Sequence, residues 1–200
     1  MNDRGFTLSE LLVAAALMGV IMAGLLTLLM TGQQTFAVGT NQVEAQQNLR
    51  IAMSRMLREI REAGYDPTNA SFDAITNQTA TALTIQNDWD GDGAIAAAAV
   101  TPPWGAPDRG QQIIYTLNGS TLERREVGVD AAPQEVAVGI EGILFEYLQV
   151  DGVTPAATSA EIRTVVVTVT ARPEHQPATT AAGHVEVLMR DQVRLRNRGA

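Results

Sequence analysis

The stretch GFTLSELLVAAALMG, residues 5–19, places a single carboxylate, Glu10, inside an otherwise apolar run. The run extends from Phe6 to Met30, and Glu10 is its only charged residue. At about 1.5 Å per residue it spans about 37 Å, enough to cross a bilayer with some tilt. A charge in the middle of a membrane helix costs about 2.5–3.5 kcal/mol, so we expect Glu10 to have a function.

The basic residues around the apolar run predict its orientation. Arg4 and the α-amine precede the run, and the next basic residue is Arg50. The positive-inside tendency therefore places the start of the chain in the cytoplasm and its bulk on the other side. A cleaved secretory signal is the alternative, because Ala14 and Ala16 could imitate a cleavage site. That alternative is disfavoured, since the apolar run continues well past both alanines and contains a carboxylate.

The composition excludes several classes of function. The 200 residues carry a net charge of −8, which disfavours a general nucleic-acid binder, and no nucleic-acid partner is expected. The absence of cysteine excludes disulfides, thiol chemistry and an acylated-cysteine anchor. His175 lies in a proline-rich loop and His184 at the start of a predicted strand, and neither belongs to a recognisable catalytic arrangement. The sequence therefore predicts a protein that is not an enzyme.

The amino-terminal motif resembles that of a known family. Gly5-Phe6-Thr7-Leu8-Ser9-Glu10, followed by the apolar run, is similar to the class III signal of type IV pilins and pseudopilins. The resemblance implies that a prepilin peptidase removes the leader, residues 1–5, after Gly5 and that Phe6 is then N-methylated. The motif departs from the family at Ser9, where a large aliphatic residue is commoner.

The resemblance gives Glu10 a physical role. In a filament whose core is a bundle of such helices, Glu10 can pair with the methylated ammonium of Phe6 on a neighbouring subunit and fix the axial register. Ala15, Gly19 and Ala23 recur at every fourth position and would allow close helix packing. Ordinary membrane-helix composition explains these three small residues equally well.

The next segment is predicted to continue the helix. Residues 41–63 are amphipathic, and Gly64 and Pro67 predict the helix end. The pairs Arg55–Glu59 and Arg58–Glu62 are predicted on the solvent side. The segment NLRIAMSRMLREIREAGYDP, residues 48–67, resembles PilW-type minor pilins. The residues predicted to face the protein core are Leu49, Ala52, Met53, Met56, Leu57 and Ile60.

Beyond residue 67 the period changes to two, which predicts strands. Asn118-Gly119 predicts a hairpin turn, and residues 94–110 and 172–183 are predicted loops. The predicted class is α+β, with the type IV pilin fold: a long amino-terminal helix packed on an antiparallel sheet. The resulting division is leader 1–5, membrane or filament-core helix 6–30, amphipathic helix 31–63 and globular head 64–200. The predicted strands are Thr81–Gln86, Gln111–Leu117, Thr121–Val127, Glu141–Val150, Glu161–Ala171 and His184–Arg196.

An acidic loop, DWDGDG, is a candidate calcium site. Asp88, Asp90 and Asp92 occupy positions one, three and five of an EF-hand-like loop, with Gly93 at position six. The twelfth position is Ala99, so the bidentate glutamate of such loops is missing. A solvated Asp-Gly turn is the favoured interpretation, and no other cofactor is expected.

The resemblance as a whole implies a minor type IV pilin of the PilW type, a structural subunit that helps to initiate or cap pilus assembly. It implies four partners: other minor pilins, the major pilin, the prepilin peptidase and the inner-membrane assembly platform. It also implies a single-pass prepilin in the bacterial inner membrane, with a cytoplasmic amino terminus and a periplasmic head, that later joins a surface pilus. Two alternatives stay open: a minor pseudopilin of a type II secretion system, and a membrane-anchored calcium-binding or adhesive module. Adhesion, DNA uptake and twitching motility are all compatible with the sequence.

Overall fold

The computed structural model describes residues 7–172 and 186–197. It begins with one continuous helix, α1 (Leu8–Glu62), of 55 residues. The predicted helix end is confirmed: Gly64 adopts a positive φ of 78° and donates its N–H to the Gln86 carbonyl at 2.9 Å. The left-handed conformation costs glycine little, so Gly64 can turn the chain from the helix into the head.

Only the carboxyl-terminal part of α1 packs against the rest of the protein. From Thr7 to Glu44 no residue is buried. The predicted core-facing positions are confirmed, except that Leu57 is only partly buried. The spacing of three and four residues puts these side chains on one face of the helix. The buried residues of α1 are Ala45, Leu49, Ala52, Met53, Met56 and Ile60.

Ten strands and a short 3₁₀ turn (Ser159–Glu161) follow the helix within the described residues. The strands are β1 (Ile75–Thr76), β2 (Ala82–Gln86), β3 (Ala99–Val100), β4 (Arg109–Gly110), β5 (Gln112–Asn118), β6 (Thr121–Glu126), β7 (Gln134–Ala137), β8 (Ile140–Leu148), β9 (Thr164–Ala171) and β10 (Val187–Arg194). They form a five-stranded sheet of order β1-β2-β5-β6-β7, a three-stranded sheet of order β10-β9-β8 and the pair β3-β4. Every pairing is antiparallel.

The predicted strands are present, with corrected bounds and neighbours. The Asn118-Gly119 hairpin is confirmed, with Asn118 paired to Thr121 and Gly119 at a φ of 61°. The strand predicted from Glu161 begins at Thr164, because the 3₁₀ turn occupies the preceding residues. The loop predicted over residues 94–110 contains β3 and β4. The strands divide into two main sheets, and the part of the last predicted strand before Glu186 lies outside the described residues.

The core lies between α1 and the two main sheets. The helix contacts β7 of the larger sheet and β9 and β10 of the smaller one. On β9, Val165, Val167 and Val169 are fully buried on the face predicted from the alternation with threonine. Tyr115 of β5 is the largest fully buried side chain, and its ring lies in the same hydrophobic cluster. The helix therefore provides one shared wall for both sheets.

A buried ionic network joins α1 to the larger sheet and corrects one prediction. Glu59 is only 12% exposed and does not lie on the solvent side. Its carboxylate accepts hydrogen bonds from Arg124 Nε at 3.0 Å and from the Tyr115 hydroxyl at 2.7 Å. The guanidinium of Arg124 also contacts Glu126 Oε2 at 2.8 Å and Asp130 Oδ2 at 3.4 Å. Arg124 thus connects the helix, β6 and the turn after β6.

Burial and the charges of the network alter the pKa of two of its members. Burial raises the pKa of Tyr115 well above its usual range, and the neighbouring Glu59 charge raises it further. Tyr115 therefore stays protonated and remains a donor to Glu59. Although burial lowers it, the pKa of Arg124 is raised overall by its hydrogen bonds to Glu126 and Glu59 and by their charges. The pair Arg58–Glu62, also predicted on the solvent side, is not among the ion pairs of the described residues.

Glu59→Ala tests the network. We expect the free energy of unfolding to fall by about 2–3 kcal/mol, because a buried group left without its partner costs about 1–3 kcal/mol. Both Arg124 and Tyr115 lose an acceptor in this variant. Chemical denaturation of the detergent-solubilised chain, followed by near-ultraviolet circular dichroism of the head, measures the change. Glu44→Ala, an exposed glutamate of the same helix, is the matched control, and an equal loss in both variants would contradict the prediction.

Candidate functional site

The first turn of α1 holds Glu10 in a defined conformation. The Thr7 N–H and the Thr7 hydroxyl each donate to Glu10 Oε2 at 2.8 Å, and Thr7 Oγ1 accepts from the Glu10 N–H at 3.4 Å. This reciprocal arrangement is a capping box, which satisfies free amides at the helix start. The other carboxylate oxygen, Oε1, has no partner among residues 7–172 and 186–197. The carboxylate is therefore positioned at the helix start with one oxygen available.

The predicted processing residues lie outside the described part of the chain. This applies to Gly5, to Phe6 and to the leader, residues 1–5. Cleavage after Gly5, N-methylation of Phe6 and the pairing of Phe6 with Glu10 therefore stay predictions. The described residues begin at Thr7, immediately before the start of α1. Glu10, in the first turn of this helix, is exposed.

The small-residue stripe lies on a free helix surface. Ala15, Gly19 and Ala23 are exposed, and a Cβ added at Gly19 would meet no atom within 4 Å. Nothing in the described head therefore requires a glycine at this position. That the stripe packs against a helix of another molecule stays a prediction.

The apolar part of α1 has the properties of a membrane segment. Within the described residues, α1 is the helix whose length and composition allow it to cross a membrane, with a mean hydropathy of 2.5 in its most apolar stretch. A signal sequence near the amino terminus meets the same two criteria. Thr27 and Thr31 donate their hydroxyls to backbone carbonyls four residues earlier, each at 2.9 Å, and Thr35 does so at 3.0 Å. These hydroxyls therefore need no water.

The acidic loop brings the three predicted carboxylates together. One oxygen each of Asp88, Asp90 and Asp92 lies within 4.8 Å of the others. Asp88 is fully buried, and its two oxygens accept the N–H groups of Gly91 at 2.8 Å and Gly93 at 3.0 Å. This is the hydrogen bonding of an Asp-Gly turn, in which a carboxylate replaces a backbone acceptor. The prediction of a solvated turn is wrong at Asp88, which is buried.

The remaining two carboxylates have different environments. Asp90 accepts from the buried Gln111 amide at 2.6 Å, whereas Asp92 is exposed and accepts the Ala94 N–H at 2.8 Å. Burial, the contact with Asp88 and the Asp92 charge all raise the pKa of Asp90. The folded loop therefore favours a proton or a cation at this position. A calcium ion would have carboxylate oxygens here, although no residue supplies the bidentate ligand.

Sequence reasoning missed one cluster of functional interest near this loop. Tyr65, Trp89, Trp104 and Arg109 form contacts across three segments of the head. Composition is the signal that could have found it, because one of the two tryptophans of the chain lies in the acidic loop and the other in the predicted loop over residues 94–110.

Comparisons with known proteins agree with this architecture. The family described as "Prokaryotic N-terminal methylation motif" matches residues 1–26. Among solved structures, the type IV-like pilin TTHA1219 from Thermus thermophilus is similar to this chain at a TM-score of 0.50 and 13% sequence identity. The match covers 77% of this chain and 98% of that one. No curated protein matches the sequence.

The motif and the fold define the class of protein. The chain carries the prepilin N-methylation motif at the start of a type IV pilin fold, a long apolar helix followed by an antiparallel β head. The α+β prediction is confirmed. Pilins are structural proteins, and the motif with its apolar helix supports a membrane-anchored pilin-like protein.

Asp88→Ala separates the turn from a calcium site. We expect the free energy of unfolding to fall by about 1–3 kcal/mol in chelator-containing buffer, because the half-buried N–H groups of Gly91 and Gly93 lose their acceptor. Thermal unfolding of the solubilised chain measures the loss, and Asp92→Ala, which removes an exposed carboxylate of the same loop, should have a smaller effect. A melting temperature that rises with calcium in the unmodified protein, and fails to rise in both variants, would establish the cation site instead.

Proposed function

We propose that this protein is a minor type IV pilin of the PilW type, a structural subunit that helps to initiate or cap pilus assembly. The observation that carries the proposal is the amino-terminal part of α1. It is apolar, it begins with an ordered carboxylate at Glu10, and from Thr7 to Glu44 it has no buried residue. Such a surface requires lipid or other subunits to cover it.

The energetics of assembly give Glu10 and the small-residue stripe their proposed roles. Moving an apolar helix from lipid into a bundle of similar helices changes its apolar contacts little, so hydrophobicity alone does not select a partner or a register. Close packing at Ala15, Gly19 and Ala23 would add shape selectivity. A pair between Glu10 and the methylated amine of a neighbouring Phe6 would add axial register, because each charge is costly in a dry bundle without the other.

The apolar surface extends beyond the membrane segment. Phe36 is 78% exposed, Val43 is 52% exposed and Ile51 is 60% exposed. All three lie on α1, and Ile51 is in the part of the helix whose other face packs into the head. We propose that this exposed stripe contacts the helices of neighbouring pilins once the subunit leaves the membrane.

The proposed partners and location follow from the pilin class. Before assembly the protein would be a single-pass prepilin of the bacterial inner membrane, with its amino terminus in the cytoplasm and its head in the periplasm. The prepilin peptidase would cleave it on the cytoplasmic side, and the inner-membrane assembly platform would act on the processed subunit. After assembly it would contact the major pilin and other minor pilins. A minor pseudopilin of a type II secretion system shares this architecture, and the filament that contains the protein distinguishes the two.

The first experiment examines processing. We expect the protein from wild-type cells to begin with N-methylated Phe6, and the protein from a strain without prepilin peptidase to keep residues 1–5. Intact mass and amino-terminal sequencing of both samples give the answer. A chain that starts after Ala16, or that keeps Met1 in both strains, would contradict the pilin proposal and favour a secreted or anchored module.

The second experiment examines assembly. We expect Glu10→Ala to be cleaved and inserted normally, but to be recovered in sheared filaments about tenfold less, since about 1.4 kcal/mol of lost pairing gives that factor. Ser9→Ala changes the neighbouring exposed position and is the matched control. Quantitative immunoblots compare the membrane and filament fractions of each strain. Equal recovery of the two variants would remove Glu10 from the assembly mechanism.

A further inference from the structure

A cleft of about 400 Å³ opens at the end of α1 that is opposite to the apolar segment. The helix end, the acidic loop, β4 and the chain segment after β10 all contribute to its wall. None of these residues has a part in the proposed assembly mechanism. The lining residues are Glu62, Tyr65, Trp89, Arg109, Arg196 and Asn197.

Hydrogen bonds hold the chain segment after β10 against the end of α1. The Arg196 N–H donates to the Arg61 carbonyl at 3.0 Å, and the Asn197 side-chain amide donates to the Glu62 carbonyl at 2.7 Å. Within the described residues, the side-chain oxygen of Asn197 accepts no hydrogen bond. Two sides of the cleft are therefore fixed to one another, and one of them keeps a free acceptor.

Stacking holds the Arg109 guanidinium in one orientation. Its central carbon, Cζ, lies 3.9 Å from the centroid of the Trp89 ring, which is itself stacked with Tyr65 at a centroid distance of 5.2 Å. Trp89 is only 6% exposed, so the support for the guanidinium is a packed ring. A stacked guanidinium keeps its N–H donors in its own plane, where they can still bind an acceptor. The ring therefore positions the donors and is not itself the binding surface.

Arg109 is half-buried and has no acidic partner. In the described part of the chain, its guanidinium takes part in no hydrogen bond or ion pair. Its neighbour in sequence, Asp108, instead accepts the Thr101 hydroxyl at 2.5 Å. The buried Arg124, in contrast, contacts three carboxylates. Charged groups withdrawn from water are normally paired, so the free donors of Arg109 indicate that an acceptor is missing.

A second guanidinium and one carboxylate border the same space. The side chains of Arg196 and Glu62 are exposed, and neither takes part in a hydrogen bond or ion pair among residues 7–172 and 186–197. Glu62 therefore neutralises neither arginine of the cleft. Two unpaired cations and one anion line the cleft of a chain whose net charge is −8.

We propose that this cleft binds the carboxylate of an acidic peptide segment of a partner protein. A guanidinium can donate two parallel N–H groups to one carboxylate, and Arg196 adds a second cation to the site of Arg109. Glu62 and the Asn197 side-chain oxygen are acceptors, which match the backbone N–H groups on either side of an acidic residue. The cleft volume lies within the usual range of about 300–1,000 Å³ for ligand sites. This function is separate from assembly and does not depend on it.

The surrounding charges favour a carboxylate over a phosphate. Asp66, Asp90 and Asp108 are direct neighbours in sequence of Tyr65, Trp89 and Arg109 respectively, and Glu62 lines the cleft itself. These carboxylates repel an anion, and the repulsion is about twofold larger for a dianion than for a monoanion. A single peptide carboxylate therefore obtains the arginine contacts at the smallest electrostatic cost.

Trp89 can report on binding in the full chain. The chain has two tryptophans, so Trp104→Phe leaves Trp89, on which Arg109 stacks, as the only one. This variant, in a non-ionic detergent at constant low ionic strength, is titrated with the peptide acetyl-Gly-Glu-Gly-Glu-Gly-amide. We expect a saturable change in emission, and calorimetric titration of the unmodified chain should give the same affinity. The same peptide with glutamine in place of glutamate, and inorganic phosphate, are titrated in parallel.

Substitutions in the cleft make the result specific. We expect Arg109→Ala and Arg196→Ala each to weaken binding by about tenfold, because each removes a charge-assisted hydrogen bond. Arg109→Lys keeps the charge but loses the planar fork, so it should bind nearly as weakly as Arg109→Ala. Glu62→Gln removes the opposing charge and should tighten binding by about threefold. Arg125→Ala, an exposed arginine that does not line the cleft, is the matched control.

The opposite results would overturn the proposal. They are the absence of calorimetric binding of the glutamate peptide, equal binding of the glutamine peptide, or tighter binding of phosphate. Equal affinity of Arg196→Ala and the control would also overturn it, and because Arg196 is exposed this variant leaves the packing on Trp89 intact. A loss of affinity in Glu62→Gln would show that the ligand is not recognised as an anion.

Discussion

The packing of one face of α1 against two sheets is the contact on which the rest of the structure depends. The helix touches β7 of the larger sheet and both β9 and β10 of the smaller one, so neither sheet has a complete core without it. The same helix continues without a break into a segment that contacts nothing in the head. Helices gain most of their stability from packing, so the free segment depends on lipid or on other subunits. A single continuous helix therefore joins the head to the apolar segment.

The elements that sequence predicted well are those with strong local signals. The face from Leu49 to Ile60 repeats at helical spacing, and Asn118-Gly119 specifies its hairpin without help from distant residues. Strands β1, β3 and β4 have two residues each, too few to show a period. Glu59 was misplaced because its partner Arg124 is 65 residues away, and an i,i+4 arginine suggested a surface pair. The helical spacing nevertheless places Glu59 on the buried face, since Glu59 follows the buried Met56 by three positions.

The candidate sites also divide into those that have a local sequence signal and those that depend on residues far apart in the sequence. Glu10 and the acidic loop were found because each is a short motif, and the loop's turn could be predicted from Asp88 and its two glycines. The cluster of Tyr65, Trp89, Trp104 and Arg109 could not be predicted, because tertiary folding alone brings its three segments together. The pairing of β3 with β4 sets the position of Trp104, and neither strand is visible in the sequence. Local motifs therefore indicated the features of the amino-terminal helix and of the acidic loop, whereas the aromatic cluster became visible only in the three-dimensional contacts.

In the proposed filament, the pairing at the amino-terminal end of α1 determines the direction in which the carboxyl-terminal end points. A register pair between Glu10 and a neighbouring amino terminus requires the helices to run parallel, because both charges lie at the same end of each helix. Parallel helices place the carboxyl-terminal end of every α1, which is about 80 Å from the first turn at about 1.5 Å per residue, toward the same end of the filament. No further subunit follows the last one at that end. A subunit that initiates or caps the filament would therefore present its head where no neighbour can cover it.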